Sequence, residues 1–126
     1  MRAIDTNVLV RAIVRDDPRQ AQQADRFIAD GAWVSILTIA ETCWVLTAVY
    51  DRSADDIATA IETLLGHQHL VLQDSDAVEN ALESFRTRPA LGFTDCLLVA
   101  IARKAGHLPL GTFDRGLARL DGVERI

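Results

Sequence analysis

Residues 1–15, MRAIDTNVLVRAIVR, carry the pattern that decides the fold. Ala3 and Ile4 form a short apolar run that predicts a buried strand, and this run ends at an acidic residue, Asp5. From Thr6 onward the apolar side chains recur at the spacing of a helix, at Val8, Leu9, Ala12 and Ile13. A strand that leads directly into a helix is the first half of a β–α unit, so these residues favour an α/β protein.

The rest of the chain continues this alternation. Further strands are predicted at residues 33–36, 70–72, 108–112 and, at an edge of the sheet, 123–126. Helices are predicted at residues 18–29, 38–50, 54–65, 75–88, 95–105 and 115–120. Right-handed crossovers between such elements give a parallel sheet that is covered on both faces. We therefore predict a single α/β domain over residues 1–126, with three layers and a central, mainly parallel sheet of four to five strands flanked by helices.

Composition agrees with one soluble globular domain, since 49% of the residues are hydrophobic and 25% are charged. The longest wholly apolar run, residues 96–102, is too short to cross a bilayer, and no secretory signal is visible, so we expect no membrane contact and a cytoplasmic location. The two cysteines, Cys43 and Cys96, lie in apolar helical patterns and are expected to be buried and free. They show no zinc-binding spacing with the three histidines.

Four acidic residues recur at comparable places in the predicted elements. Asp5, Glu41, Asp95 and Asp114 each lie where a strand ends or a helix begins. The carboxyl ends of parallel strands meet at one edge of a sheet, where ligands bind. Four carboxylates gathered there would repel one another unless a cation lay among them, and hard ions such as Mg²⁺ prefer carboxylate oxygens. Setting these four aside also removes most of the net charge of −5, so the acidity is weak evidence against a nucleic-acid substrate.

Each of the four acids also has a structural explanation. Asp5 would be the N-cap of the helix that follows it, and Glu41 would complete a capping box with Thr38. Asp95 would be a first-turn acid favoured by the helix dipole, after an N-cap at the preceding threonine. Asp114 would be a turn residue. The spacing alone leaves both interpretations open and favours the metal site.

Four short motifs add a resemblance to a known family. The opening MRAIDTNVLV, IAET at 39–42, FTDC at 93–96 and TFD at 112–114 resemble, in this order, the motifs of PIN-domain ribonucleases, particularly VapC-type toxins of bacterial type II toxin–antitoxin systems. The resemblance covers essentially the whole chain and implies a PIN-like fold. It implies that Asp5, Glu41, Asp95 and Asp114 are catalytic and bind Mg²⁺, or Mn²⁺. It makes Thr6, Asn7 and Thr112 candidates for orienting the ligands or the attacking water.

The function implied by the resemblance is that of a Mg²⁺-dependent endoribonuclease. Such an enzyme cleaves single-stranded or loop RNA by attack of a metal-activated water on a phosphodiester, and a small cognate antitoxin of the VapB type neutralises it. The resemblance also suggests a homodimer, and the apolar helix at residues 38–50 offers Trp44, Leu46 and Tyr50 as interface residues.

Substrate contacts are less defined by the sequence. Two pairs of arginines, each one helical turn apart, could hold RNA phosphates or could simply face solvent: Arg11 and Arg15, and Arg115 and Arg119. Six aromatic side chains are expected to belong to the core rather than to stack on bases: Phe27, Trp33, Trp44, Phe85, Phe93 and Phe113.

Other functions remain to be weighed. A PIN-type RNA-processing nuclease without an antitoxin is possible, as is a catalytically silent module that only binds a partner. A Mg²⁺-dependent phosphatase or phosphoacceptor would use Asp5 as nucleophile. The absence of a second aspartate two residues after Asp5 argues against that class.

Overall fold

A computed structural model describes all 126 residues and divides them into two compact units, residues 1–75 and 76–126. The first unit contains three strands and four helices: β1 (Arg2–Ala3), α1 (Thr6–Val14), α2 (Pro18–Ala29), β2 (Ala32–Val34), α3 (Ile36–Ala48), α4 (Ala54–Gly66) and β3 (Leu70–Leu72). At the boundary begins α5 (Ser75–Thr87), followed by α6 (Phe93–Ala105), β4 (Leu110–Thr112) and β5 (Val123–Arg125). Two short 3₁₀ helices cover Pro89–Leu91 and Leu117–Arg119.

The first unit is built on a parallel sheet with the strand order β1-β2-β3. The central strand is the most buried, with Ala32 and Val34 fully inaccessible. Backbone hydrogen bonds from Ile4 and Gln73 to β2 extend the pairing beyond both outer strands. The sheet therefore carries the chain from Ile4 directly to Asp5, which is the first residue at its carboxyl edge.

Side-chain caps fix where the helices of the first unit begin. Asp5, Asp17, Ser35 and Ser53 each accept a hydrogen bond from a backbone N–H in the first turn of the helix that follows. Such caps satisfy donors that the helix itself leaves unpaired. Helix α1 packs against both α2 and α3, so its start is held by the sheet, its cap and two neighbours.

The second unit is held together by the buried faces of two helices. The side chains of α5 and α6 that are buried include Phe85 and Phe93, whose rings meet edge to face at a centroid distance of 5.9 Å. Strands β4 and β5 pair in parallel to form a separate two-stranded sheet. None of the helices in the chain is long and apolar enough to cross a membrane.

The predicted α/β class is confirmed, and so is the number of strands. The strands form two small sheets of three and two, however, rather than one sheet of four to five, because β4 finds its hydrogen-bonding partner in β5. Cys43 and Cys96 are buried and free, as expected. Burial raises the pKa of the Cys43 thiol to about 12 and that of Cys96 to about 11, so both remain protonated at neutral pH.

Candidate active site

Asp5 lies between the end of the first strand and the start of α1. It is exposed, and its Oδ1 atom accepts a hydrogen bond of 3.0 Å from the backbone N–H of Val8. The N-cap role expected from the sequence is therefore real, and Oδ2 takes no part in it. A cavity of about 380 Å³ opens beside this carboxylate, and Asn7 and Arg11 are among its lining residues. One oxygen of Asp5 thus anchors the helix while the side chain stays accessible to a ligand.

Glu41 is connected to the same end of α1 by a hydrogen bond. The Thr6 hydroxyl donates to Glu41 Oε2 over 2.8 Å, although the two residues lie 35 positions apart in the sequence. Because Thr6 follows Asp5 directly, this contact holds Glu41 and Asp5 at one place in the first unit. The capping box expected for Glu41 and Thr38 is absent, since Ser35 caps α3 and accepts the Thr38 N–H instead.

Asp95 occupies the first turn of α6 in the second unit. The helix begins two residues earlier than predicted, at Phe93, and Gly92 precedes it without any side-chain cap, so the N-cap expected at Thr94 is wrong. The Asp95 side chain is half-buried. Burial raises the pKa of its carboxyl, and the negative charge of Asp114 raises it further. These two carboxylates are therefore close enough to repel each other.

Asp114 is held in a tight turn after β4. Its Oδ1 atom accepts hydrogen bonds from the backbone N–H groups of Gly116 and Leu117, at 2.7 and 3.2 Å. Its own N–H donates to Thr112 Oγ1 over 3.0 Å, so Thr112 positions the backbone of this acid. A Cβ at Gly116 would lie 3.2 Å from Asp114 Oδ1 and 3.3 Å from a Leu91 carbon, so a larger residue there would push against the carboxylate of Asp114.

The structure thus links the four predicted acids two by two: the Thr6 hydroxyl joins Glu41 to the residue that follows Asp5 in the first unit, and the charge of Asp114 acts on Asp95 in the second. The structure contains no group of three or more His, Cys, Asp or Glu side chains close enough together to hold a metal ion. The chemistry of the donors nevertheless suits a hard divalent cation, because all four are carboxylates. The mutual repulsion of Asp95 and Asp114 is the kind of cost that such a cation removes.

The four candidate arginines differ in how they are engaged. Arg15 forms a bidentate ion pair with Asp25, in which its two terminal guanidinium nitrogens donate to Oδ1 and Oδ2 over 2.9 and 2.7 Å. Arg11 donates to Gln20, Asp16 and the Tyr50 hydroxyl, although it also lines the cavity beside Asp5. Arg115 and Arg119, by contrast, are exposed around the Asp114 turn. The second pair is therefore better placed than the first to meet a phosphate.

Two features were missed by sequence reasoning. Trp44 and Phe113 are not core residues, since 66% and 80% of their surfaces are exposed. Each is a near neighbour in sequence of a predicted acid, Glu41 and Asp114 respectively. The second feature is a cavity of about 570 Å³ in the first unit, whose walls include apolar side chains of α1, α2 and α4. No local motif signals such a cavity, because it depends on how three helices pack.

Comparison with known proteins identifies the family. The family model described as the PIN domain matches residues 3–123, which is nearly the entire chain. The chain therefore belongs to the PIN-domain family, whose members are generally nucleases and hence hydrolases. No significant match was found among curated proteins or among solved structures.

Proposed function

We propose that this PIN-domain chain is a metal-dependent endoribonuclease in which Asp5, Glu41, Asp95 and Asp114 bind Mg²⁺, or Mn²⁺ in its place. The observation that carries the proposal is the pairing of these carboxylates. The charge of Asp114 acts on Asp95, the Thr6 hydroxyl links Glu41 to the residue that follows Asp5, and three of the four acids are fixed by hydrogen bonds. Family membership and the order of the motifs support the assignment of all four acids to one function.

In this mechanism, individual side chains and backbone groups of the protein would have different roles. A bound divalent ion supplies Lewis acidity, which lowers the pKa of water and offsets negative charge on the phosphate. Thr6 fixes Glu41 through Oε2, which leaves Oε1 to orient a water molecule or to accept its proton. The backbone N–H groups that donate to Asp114 Oδ1 hold that carboxylate in one orientation, which leaves Oδ2 available to bind the ion. Preorganised carboxylates of this kind cost no rearrangement during the reaction.

The proposed substrate is single-stranded or loop RNA. Arg115 and Arg119 are exposed near Asp114 and carry positive charge suited to phosphate oxygens. Asn7 and Arg11 line the cavity beside Asp5 and are candidates for a second contact, although Arg11 would have to share its guanidinium with Asp16. We propose that the enzyme acts on this RNA in the cytoplasm.

A cleavage assay tests this function. The purified protein should cut a single-stranded RNA oligonucleotide in the presence of Mg²⁺ or Mn²⁺, cut a fully paired duplex much more slowly, and stop when the ion is chelated. Sequencing the fragments would define the cleavage site. RNA left intact at every metal concentration, or cleavage that continues in a chelator and in the Asp95→Asn variant alike, would refute the proposal.

We further propose that a small VapB-type antitoxin neutralises the enzyme. The cavity of about 570 Å³ between α1, α2 and α4 is lined by apolar side chains such as Ile13 and Leu64 and also by charged residues such as Asp56, so it is suited to an amphipathic segment. Basic side chains on that segment would complement the exposed carboxylates. A protein encoded immediately upstream should bind the wild type and the Ala90→Glu control. It should bind much less tightly to Ala60→Glu, which places a charge in the cavity wall. Equal binding to all three would place the antitoxin elsewhere, and the absence of any such partner would favour an RNA-processing nuclease.

The homodimer is proposed to form through α3. Trp44 is 66% exposed and Ala48, one turn further along α3, is exposed as well, so this end of the helix offers an apolar patch that a second copy could cover. Leu37 is 67% exposed too, but Glu41 lies between it and Trp44 on the same face, so we place the interface at the end of the helix away from Leu37. The interface expected from the sequence needs correction at Leu46, which is only 2% exposed and belongs to the core. Tyr50 is half-buried and its hydroxyl bonds Asp16. Sedimentation at micromolar concentration should show a dimer for the wild type and a monomer for Trp44→Glu; a monomeric wild type would refute the pairing.

A further inference from the structure

Phe113 is the most exposed large apolar side chain of this protein, with 80% of its surface accessible. It lies between Thr112, the last residue of β4, and Asp114, one of the four proposed metal ligands. A phenylalanine in this position gains nothing from the core, and the expectation that it would pack there was wrong. Its exposure therefore calls for another explanation.

The backbone on both sides of Phe113 is firmly held. Thr112 accepts a hydrogen bond of 2.9 Å from Ile126 through its carbonyl and one of 3.0 Å from Asp114 through its hydroxyl. The carbonyl of Asp114 accepts from Ala118 over 3.1 Å, while its carboxylate accepts from Gly116 and Leu117. The ring is thus displayed to solvent from a fixed turn and not from a loose loop. A preorganised aromatic of this kind can bind a planar group at little entropic cost.

We infer that Phe113 is a stacking platform for an RNA base next to the scissile phosphate. The inference rests on the proposed ribonuclease function and adds a residue that selects and positions the substrate. The surroundings favour a nucleic acid over a protein, because the next residues include the carboxylate of Asp114 and the exposed charges of Arg115 and Arg119. Cores of protein interfaces are depleted of charged residues, whereas aromatic rings interleaved with arginines are typical of sites for single-stranded nucleic acid.

The stacking can be measured with variants that separate aromatic from merely apolar character. Phe113→Ala and Phe113→Leu should raise KM for a single-stranded RNA oligonucleotide about 10-fold while changing kcat much less, since stacking on one base is worth roughly that factor. Phe113→Tyr and Phe113→Trp should stay near the wild type. Val71→Ala, at a half-exposed apolar residue of β3, serves as the matched control and should change neither constant. All Phe113 variants should have the same melting temperature as the wild type, because the ring is exposed to solvent.

A second measurement locates the base. Oligonucleotides with one abasic nucleotide, moved stepwise past the cleavage site, should bind the wild type poorly when the gap falls at a single position. At that position Phe113→Ala should lose nothing further, because the stacked base is already missing.

Three results would overturn the inference. An unchanged KM in Phe113→Ala would show that the ring does not touch the substrate, and full activity in Phe113→Leu would show that it is not a stacking contact. A change of oligomeric state in Phe113→Ala without a change in KM would assign the ring to a protein interface. In these cases a wild type that cleaves RNA leaves the proposed function intact, whereas a wild type that neither binds nor cleaves RNA removes both.

Discussion

Replacing Asp5 by Asn and, separately, by Ala divides the two roles that this residue has in the account. Its Oδ1 atom caps α1 by accepting the Val8 N–H over 3.0 Å, and its charge is assigned to metal binding. Asn and Asp are about equally good N-caps, whereas Ala cannot accept the bond, at a cost of about 1 kcal/mol. Both variants lose the same negative charge at the helix N-terminus, which is worth about 0.3–1 kcal/mol. The Ala variant should therefore be less stable than the Asn variant by about 1 kcal/mol.

Activity should not follow that order. Both variants should fail to cleave RNA, because both lack the ligand charge, and Mg²⁺ should raise their melting temperatures less than that of the wild type. Urea unfolding gives the stability difference and a single-turnover cleavage assay gives the activity. If Asp5 served only as a cap, Asp5→Asn would cleave RNA normally and Asp5→Ala alone would be impaired, which would refute the assignment of Asp5 to the metal site.

Three further predictions concern stability. Asp95→Asn should raise the melting temperature of the metal-free protein at pH 7, because burial raises the pKa of the Asp95 carboxyl and so disfavours its charged form. This gain should vanish below pH 3.8, where the carboxyl is protonated in both the folded and the unfolded chain. Asp25→Asn should lower the free energy of unfolding by at most about 1 kcal/mol at pH 7, since the hydrogen bonds from Arg15 lower the pKa of Asp25. In urea titrations this contribution should be present above pH 3.8 and should disappear as the pH falls from 3.8 toward the lowered pKa. Gly122→Ala should lower the free energy of unfolding by at least about 1 kcal/mol, because the φ of Gly122 is +84° and a Cβ there would lie 2.9 Å from a leucine carbon. The control Gly66→Ala, at a helical residue with open space around it, should not lower the free energy of unfolding in the same urea assay.

The sequence predicted the elements better than their limits. The strand at 70–72 was placed correctly, since an apolar run after Gly66 leaves little choice. The start of α3 was not, because Ser35 and Thr38 are both competent caps and only the packed structure shows that Ser35 is used. The number of sheets was also beyond local patterns, because pairing β4 with β5 is a choice among distant partners.

The candidate site shows the same division. Positions at strand ends and helix starts were enough to single out the four acids, and the cap at Asp5 could be read from its neighbours. The hydrogen bond between Thr6 and Glu41 could not, because it joins two separate helices. The exposure of Trp44 and Phe113 could not be predicted either, since an apolar side chain in a regular pattern is expected to be covered and only the fold determines what covers it.

Calorimetric titration of the protein with Mn²⁺ and Mg²⁺ tests the central claim most directly. The wild type should bind the ion, and Asp5→Asn and Asp95→Asn should each weaken binding by at least about 10-fold, because each removes one ligand charge from a different pair. The matched control Glu124→Gln, at an exposed acid of β5, should bind as the wild type does. A wild type that binds no divalent ion, or Asn variants that bind it as tightly as the control, would contradict the assignment of these carboxylates to a metal site.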